Sequence, residues 1–332
     1  MINDRHRMKK IGRVEKIDNK CPDDMFITCA SFEERCLGSL RKFSNYSAQH
    51  IILFKFGEGN PVREKNWDCM LNIFAKNNIN KTQYIITVNH GMTASGVLEL
   101  HKYFKENILA KKPGKSVNIT IDITTFTKEL LLEVLFYLVQ IARVENLRFL
   151  YTVPEKYASP DEGPLSHGIK NIKIIPFFWN RWSAIKDDML VVILGYEEMR
   201  AWSLISKFDA NINKLFITKP GSKKEWDTHC ETFNKNLLNE NYEKDTMPSL
   251  DPMSVVSILK EKIVDQMFHE KYNIFIAPFG TKPQLLGIFY FLQTYPTVCA
   301  NIVSSTAIEH NTPYYSSGVG DTYCLFSHEI TA

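Results

Sequence analysis

The sequence predicts an α/β protein of two tandem domains with mainly parallel sheets, related by internal duplication. Three observations predict it. The length of 332 residues suits one large domain or two of about 150 residues each. Short apolar, β-branched segments alternate with helix-length segments, which is typical of a parallel sheet covered on both faces. Finally, the two halves of the chain resemble each other, and 44% hydrophobic residues suffice for a buried core in each.

The first half contains five predicted strands. Each is a run of mostly apolar residues, long enough for a buried strand and too short for a helix. They are FITCA (26–30), HIILFKF (50–56), QYIITV (83–88), NITIDI (118–123) and LRFLYTV (147–153). Because helix-length segments separate them, we predict a Rossmann-like arrangement for this half.

The second half repeats the pattern with four predicted strands. They are LVVIL (190–194), KLFIT (214–218), NIFIA (273–277) and ANIVSS (300–305). The polar stretch 239–252 is predicted to be an inserted loop. The last segment, 313–326, is interpreted either as a loop that approaches a ligand or partner, or as a β-turn before a final strand.

An internal repeat sets the predicted domain bounds. Residues 26–43 and 191–208 both contain a strand, a small-residue turn, an aromatic residue, Glu-Glu and a helix pattern. Five identities then recur at one offset: Trp67, Asp68, Phe74, Lys76 and Asn77 match Trp226, Asp227, Phe233, Lys235 and Asn236. We therefore predict a basic N-terminal arm at 1–20, a first Rossmann-like repeat at 21–186 and a second at 187–332.

Composition and charge exclude several classes of protein. A formal charge of +3 is too small to indicate a nucleic-acid binder, although the basic arm could bind nucleic acid or remain a solvated tail. The seven cysteines include no C-x-x-C, so neither a disulfide framework nor a metal site is predicted. We predict no membrane-spanning segment, because no run of residues is apolar enough, and we predict no signal sequence in the polar N-terminal residues. A reduced cytoplasm is the predicted location.

The turn after the first strand of each half is one candidate site, because ligands of open parallel sheets lie beyond the carboxyl ends of the strands. It comprises residues 30–34 in the first half and residues 195–198 in the second. Ser31 with Glu34 fits a helix-capping box, and Gly195 with Glu198 is a weaker variant. Glu33 and Glu197 have no such capping duty. If the turn is functional, these acids suit ribose hydroxyls, a base edge or a water rather than a phosphate.

A second candidate turn follows NITIDI and NIFIA. Thr127 and Thr281 are predicted helix N-caps. This puts Lys128 and Lys282 in first helical turns, where a cation is unfavourable against the helix dipole by about 0.3–1 kcal/mol. Two such lysines at equivalent positions suggest a bound anion. Free amides, a threonine hydroxyl and a lysine then predict a phosphate-binding corner; the alternative is that both lysines extend into solvent.

The segment IFIAPFGTKPQLLGIFYFL (274–292) resembles the strand, Gly-Thr-Lys turn and helix of the CARF and SAVED group of Rossmann-like sensors from prokaryotic defence. IDITTFTKELLLEVLFYL (121–138) resembles a degenerate version, with Phe126 in the place of Gly280. SAVED proteins fuse two CARF-like units, so the resemblance implies a cyclic oligonucleotide in a cleft between the halves. It implies ligand contacts from Thr127, Lys128, Gly280, Thr281 and Lys282, with Ser31 and Gly195 beside them.

The leading functional hypothesis is a nucleotide-binding sensor or regulatory subunit of a prokaryotic antiviral defence system, more plausibly a binding protein than an enzyme. It requires no cofactor besides its nucleotide-type ligand. Since the halves take up the whole length, the predicted effector is a separate protein, and the alternative is self-assembly of the chain. The first alternative is a hydrolase that cleaves a nucleotide or NAD with Glu33, Asp122 or Glu197 as acid, base or nucleophile. The second is a structural subunit of a defence complex that binds no small ligand.

Overall fold

A computed structural model of the chain describes residues 9–19, 21–57, 59–77, 79, 82–112, 116–144, 146–157, 165–310 and 316–326, with the side chains of residues 9–11, 167, 309, 310 and 326 outside the description. The chain divides into two compact units. Unit 1 comprises Met1–Tyr157 and Ser316–Ala332, and unit 2 comprises Ala158–Tyr315. Each unit is built around its own β-sheet, so the predicted α/β class with two mainly parallel sheets is confirmed.

The sheet of unit 1 has seven strands in the order β1-β15-β6-β5-β2-β3-β4. Their bounds are Lys9–Val14 (β1), Asp23–Cys29 (β2), Ala48–Phe56 (β3), Gln83–Val88 (β4), Asn118–Asp122 (β5), Asn146–Thr152 (β6) and Thr322–Phe326 (β15). The five from β6 to β4 are parallel, whereas β15 is antiparallel to β6 and β1 is antiparallel to β15. Every residue of β2 is buried, as expected of a central strand covered on both faces.

The sheet of unit 2 has six strands in the order β11-β10-β9-β12-β13-β8. Their bounds are Ser166–Ile174 (β8), Asp187–Leu194 (β9), Ile212–Thr218 (β10), Glu243–Met247 (β11), Tyr272–Pro278 (β12) and Asn301–His310 (β13). All neighbours are parallel except β8, which is antiparallel to β13. A small antiparallel pair in unit 1 joins Lys156–Tyr157 (β7) to Ser316–Ser317 (β14).

Helices cover the sheets and connect their parallel strands. In unit 1 they are Pro61–Lys76 (α1), Ala94–Phe104 (α2) and Lys128–Phe136 (α3). In unit 2 they are Glu198–Phe208 (α4), His229–Phe233 (α5), Lys235–Leu238 (α6), Pro252–Leu259 (α7), Phe268–Lys271 (α8) and Lys282–Thr294 (α9). None of the helices within the described ranges is both long and apolar enough to cross a membrane.

The five parallel strands of each unit have the same order. Counted along the chain, the fifth strand neighbours the fourth, the fourth neighbours the first, and the second and third follow beyond it. This is the 3-2-1-4-5 order of Rossmann-like sheets, in which the strand order reverses between the first and fourth strands. The reversal lies between β2 and β5 in unit 1 and between β9 and β12 in unit 2.

All nine strands predicted from apolar runs are present, but the surrounding segments differ from expectation. The stretch 239–252 contains the edge strand β11, so it is not only a loop. Part of the predicted basic arm forms β1 and is not a solvated tail; residues 1–8 lie outside the described part of the chain. The units also differ from the predicted bounds. Residues 165–186 belong to unit 2 because β8 pairs with β13, and residues 316–326 belong to unit 1 because β15 pairs with β6.

Candidate functional site

The two candidate turns of each unit follow the two strands at which the strand order reverses, and in unit 2 they contact each other. The backbone N–H of Phe279 donates to the carbonyl of Ile193 at 2.8 Å. A Cβ atom on Gly195 would lie 2.3 Å from the carbonyl oxygen of Phe279. Only glycine allows the backbones to approach this closely. Gly195 therefore brings the turn after β9 against the turn after β12.

The same two turns are joined by side chains in unit 1. The hydroxyl of Thr125 donates to the carbonyl of Cys29 at 2.7 Å. Asp122, at the end of β5, accepts a hydrogen bond from the hydroxyl of Ser39 and another from the backbone N–H of Thr124 at 3.0 Å. The first and fourth strands of both units thus end in a pair of adjoining turns.

In unit 2, the predicted N-cap of α9 is confirmed, and it is a full capping box. The Thr281 hydroxyl accepts from the backbone N–H of Gln284 at 3.3 Å, and the Gln284 side-chain oxygen accepts from the N–H of Thr281 at 2.7 Å. The Thr281 hydroxyl also donates to the Ser249 carbonyl, and Pro283 has no N–H to offer. The hydroxyl and these two amides are therefore engaged within the protein, so the prediction that they are free to bind a phosphate is wrong for this turn. Lys282, the first helical residue, supplies the cation suited to an anion at this turn.

Gly280 has a packing role in the same turn. A Cβ atom at this position would lie 2.0 Å from the Gln284 side-chain oxygen that closes the capping box. In unit 1, Phe126 takes this place, is 1% exposed and contacts Phe54 edge to face at 5.6 Å between ring centroids. The glycine is required by the capping box, and the phenylalanine is accommodated because no such box forms there.

The N-cap of α3 in unit 1 is also confirmed. The Thr127 hydroxyl accepts from the backbone N–H of Leu130 at 3.3 Å, and Lys128 is the first residue of the helix. Both lysines predicted for this position thus lie at the start of a helix, beyond the fourth strand of their sheet. Both are half-buried.

The turn after β2 is not a helix-capping box. The Ser31 hydroxyl accepts from the backbone N–H of Glu33 at 3.2 Å, and two short 3₁₀ turns, Glu34–Leu37 and Leu40–Lys42, follow in place of a helix. In unit 2, α4 begins at Glu198 and its N-cap, Glu197, makes no side-chain capping bond. The capping interpretation of both turns is therefore wrong. Glu33 and Glu197, in these turns, form ion pairs with arginines instead.

Glu33 forms a buried ion pair with Arg35. Arg35 donates from Nε and from one terminal nitrogen to the two carboxylate oxygens at 2.9 and 3.0 Å, and its other terminal nitrogen contacts the Thr152 carbonyl at 3.4 Å. The hydroxyl of Ser316 donates to the same carboxylate. Burial disfavours the charged guanidinium, but Glu33, Tyr151 and Tyr157 together outweigh this effect, and the pKa of Arg35 is raised.

Glu197 forms an equivalent ion pair with Arg200 in unit 2. One terminal nitrogen of Arg200 donates to both carboxylate oxygens at 2.8 and 2.7 Å, and the other donates to the Ser305 carbonyl. The Ser166 hydroxyl donates to Glu197 at 2.9 Å. In both units an acid of the first turn therefore binds an arginine, a serine and, through the arginine, a carbonyl of the fifth strand.

This arrangement was missed from the sequence because the arginine follows its acid by two residues in one unit and by three in the other. An alignment of the two halves at one constant offset therefore does not superpose the two acid–arginine pairs. The spacing of Glu197 and Arg200 is nevertheless that of an ion pair along a helix, which was an available signal.

The three acids proposed as catalytic are all held by protein groups. Glu33 and Glu197 are in buried ion pairs, and the carboxylate of Asp122 is 1% exposed and accepts hydrogen bonds from Ser39 and Thr124. Burial raises the pKa of Asp122, and the hydrogen bonds of Ser39 and Thr124 oppose that rise. The hydrogen bonds of Asp122 thus hold the turn after β5 in place.

Two further strand-end lysines, Lys55 and Lys219, form ion pairs with neighbouring helices. Lys55 contacts Glu64 at 2.7 Å, and Lys219 contacts Glu231 at 3.2 Å. Among the described residues, no group of three or more histidine, cysteine, aspartate or glutamate side chains is placed to hold a metal ion.

No family model and no curated protein matches the chain. Among solved structures, it is similar to a Type III CRISPR defence DNA nuclease activated by cyclic oligoadenylate. The sequence identity is 7%, the match covers 90% of this chain and 68% of that chain, and the TM-score is 0.49.

Proposed function

We propose that the protein is a nucleotide-binding sensor or regulatory subunit of a prokaryotic antiviral defence system, and that it acts with a separate effector protein. The observation that carries the ligand-binding part is the position of the Thr127-Lys128 and Thr281-Lys282 turns. Each follows the fourth strand and adjoins the turn after the first strand, where the strand order reverses. Ligands of open α/β sheets bind at this point.

The chemistry of these turns favours a phosphate-bearing ligand. A lysine in the first turn of a helix opposes the helix dipole, and a bound phosphate would compensate for it. Lys128 and Lys282 each begin a helix at the strand ends. The defence role rests on the resemblance of residues 274–292 to the CARF and SAVED group, whose ligands are cyclic oligonucleotides.

Isothermal titration calorimetry with cyclic oligonucleotides of several bases and ring sizes tests the proposal, with AMP and ATP as linear comparisons. We expect at least one cyclic oligonucleotide to bind the wild type. We expect the double variant Lys128→Ala and Lys282→Ala to bind it at least tenfold more weakly. Each substitution would remove a charge-assisted contact worth about 1.5–3 kcal/mol.

The matched control is the double variant Lys105→Ala and Lys235→Ala, which removes one exposed helical lysine from each unit and should bind like the wild type. Equal affinity of the Lys128 and Lys282 double variant and the wild type would contradict the proposed contacts. Absence of binding to the whole panel would contradict the nucleotide-sensor function.

A further inference from the structure

Two buried polar atoms at the first turn of unit 2 have no hydrogen-bond partner within the described part of the chain. They are Nε of Arg200 and the hydroxyl of Ser305, a residue that is 5% exposed. In unit 1, by contrast, Arg35 uses Nε and both terminal nitrogens. Native proteins rarely leave such groups unpaired, and each exception requires an explanation. The difference between the units points to a role for this corner that unit 1 does not share.

The two unpaired atoms belong to two residues that contact each other. A terminal nitrogen of Arg200 donates to the backbone carbonyl of Ser305. The guanidinium carbon also lies 5.5 Å from the ring centroid of Phe279, the residue immediately before that turn. The Arg200 guanidinium therefore lies next to the residue that leads into the turn of Lys282.

The charge of this corner does not suit a second phosphate. The carboxylate of Glu197 lies 2.7 Å from Arg200 and neutralises it, so no net positive charge is available. A buried N–H donor and, on the contacting residue, a hydroxyl that can donate or accept instead suit a neutral ligand group that carries an acceptor next to a second polar atom. The edge of a nucleobase, with a ring nitrogen beside an exocyclic oxygen or amino group, has this pattern.

We propose that the Arg200–Ser305 corner of unit 2 recognises the edge of a nucleobase. Nε of Arg200 donates to a ring nitrogen, the Ser305 hydroxyl bonds the neighbouring exocyclic group, and Lys282 holds a phosphate of the same ligand. This inference rests on the proposed function. The equivalent corner of unit 1 differs because each nitrogen of the Arg35 guanidinium already donates a hydrogen bond within the protein. The two units are therefore unequal in base recognition.

The variant Ser305→Ala tests this inference with little risk to folding. It removes a buried hydroxyl that makes no hydrogen bond among the described residues, so the melting temperature of the free protein should not fall. We expect its affinity for the cyclic oligonucleotide that binds the wild type to fall by about tenfold, the loss of one buried hydrogen bond. The control is Ser304→Ala, which lies one residue earlier on β13 and therefore faces the other side of the strand; it should bind like the wild type.

The salt dependence of the dissociation constant separates base contacts from phosphate contacts. Ser305→Ala should weaken binding equally at low and high salt, because no charge is removed. Lys282→Ala should weaken binding mostly at low salt and flatten the dependence on salt concentration.

Equal affinity of Ser305→Ala and the wild type would overturn the inference while leaving the proposed function intact. A fall in the melting temperature of free Ser305→Ala would also overturn it, since the hydroxyl would then have a partner in the unliganded protein. Failure of the wild type to bind any cyclic oligonucleotide would overturn both.

Discussion

The buried ion pair between Glu33 and Arg35 should be a main support of unit 1, and the substitution Glu33→Gln tests this directly. The side chains of Arg35 and Glu33 are 4% and 7% exposed. The substitution leaves the guanidinium buried without its counter-charge. Breaking a buried pair in this way costs about 3–5 kcal/mol, a large part of the 5–15 kcal/mol that typically separates folded and unfolded domains.

The next residue provides a matched control. Glu34 pairs with Arg41 at 2.9 Å, but their side chains are 49% and 47% exposed. An exposed pair contributes at most about 1 kcal/mol, so Glu34→Gln should leave the unfolding midpoint almost unchanged. The two substitutions are chemically identical, and the two ion pairs differ chiefly in their burial.

Urea unfolding followed by labelling of Cys36 is the assay, because this thiol is 1% exposed in unit 1 and becomes reactive only when the unit opens. Glu33→Gln should lower the free energy of unfolding by about 3–5 kcal/mol. The double variant Glu33→Leu and Arg35→Met should recover most of the loss, since apolar replacements of a buried pair are often neutral. If Glu33→Gln and Glu34→Gln differ by less than about 1 kcal/mol, the ion pair does not support the unit.

Two further predictions concern groups whose pKa is raised by burial. In alkylation at pH 8 followed by mass spectrometry, exposed Cys21 should react within the native protein, whereas Cys230, whose pKa is raised to about 12 by burial, should react only after unfolding; native labelling of Cys230 at the rate of Cys21 would contradict this. Because burial also raises the pKa of Asp122, the folded protein binds its proton more tightly than the unfolded chain does. The free energy of unfolding of the wild type relative to Asp122→Asn should therefore fall as the pH rises from the ordinary aspartate pKa through the raised one, and urea titrations that show a constant or rising difference would refute this.

The strands of the parallel sheets could be predicted because burial on both faces requires apolar runs of strand length. The edge strands could not be predicted in the same way. β11 reads EKDTM and is mostly exposed, so its composition resembles a loop and only its pairing with β10 makes it a strand. The register of β15 against β6 joins residues about 170 positions apart, such as Thr152 and Thr322, and no local pattern encodes a pairing of this range.

Within the candidate site, local chemistry could be predicted and long-range contacts could not. Thr127 and Thr281 were identifiable as N-caps because a cap depends on a few adjacent residues. The capping box of Thr281 with Gln284 was readable from the same four residues. The contact of Glu33 with Ser316 was not, because Ser316 lies 283 residues away and the capping pattern of Ser31 with Glu34 offered a simpler local explanation of the turn.

The two ion pairs have different consequences for the loops that they hold. All three nitrogens of the Arg35 guanidinium donate hydrogen bonds within the protein, so a displacement of the first turn of unit 1 breaks contacts. Arg200 retains an unpaired Nε, so a ligand that supplies an acceptor adds a hydrogen bond without breaking the pair with Glu197. A ligand shifts a conformational equilibrium only by its difference in affinity for the two states. If the proposed ligand binds at the corner of unit 2, it would therefore connect to the first turn, the fifth strand and β8 through the contacts of Arg200 with Glu197 and Ser305 and of Glu197 with Ser166.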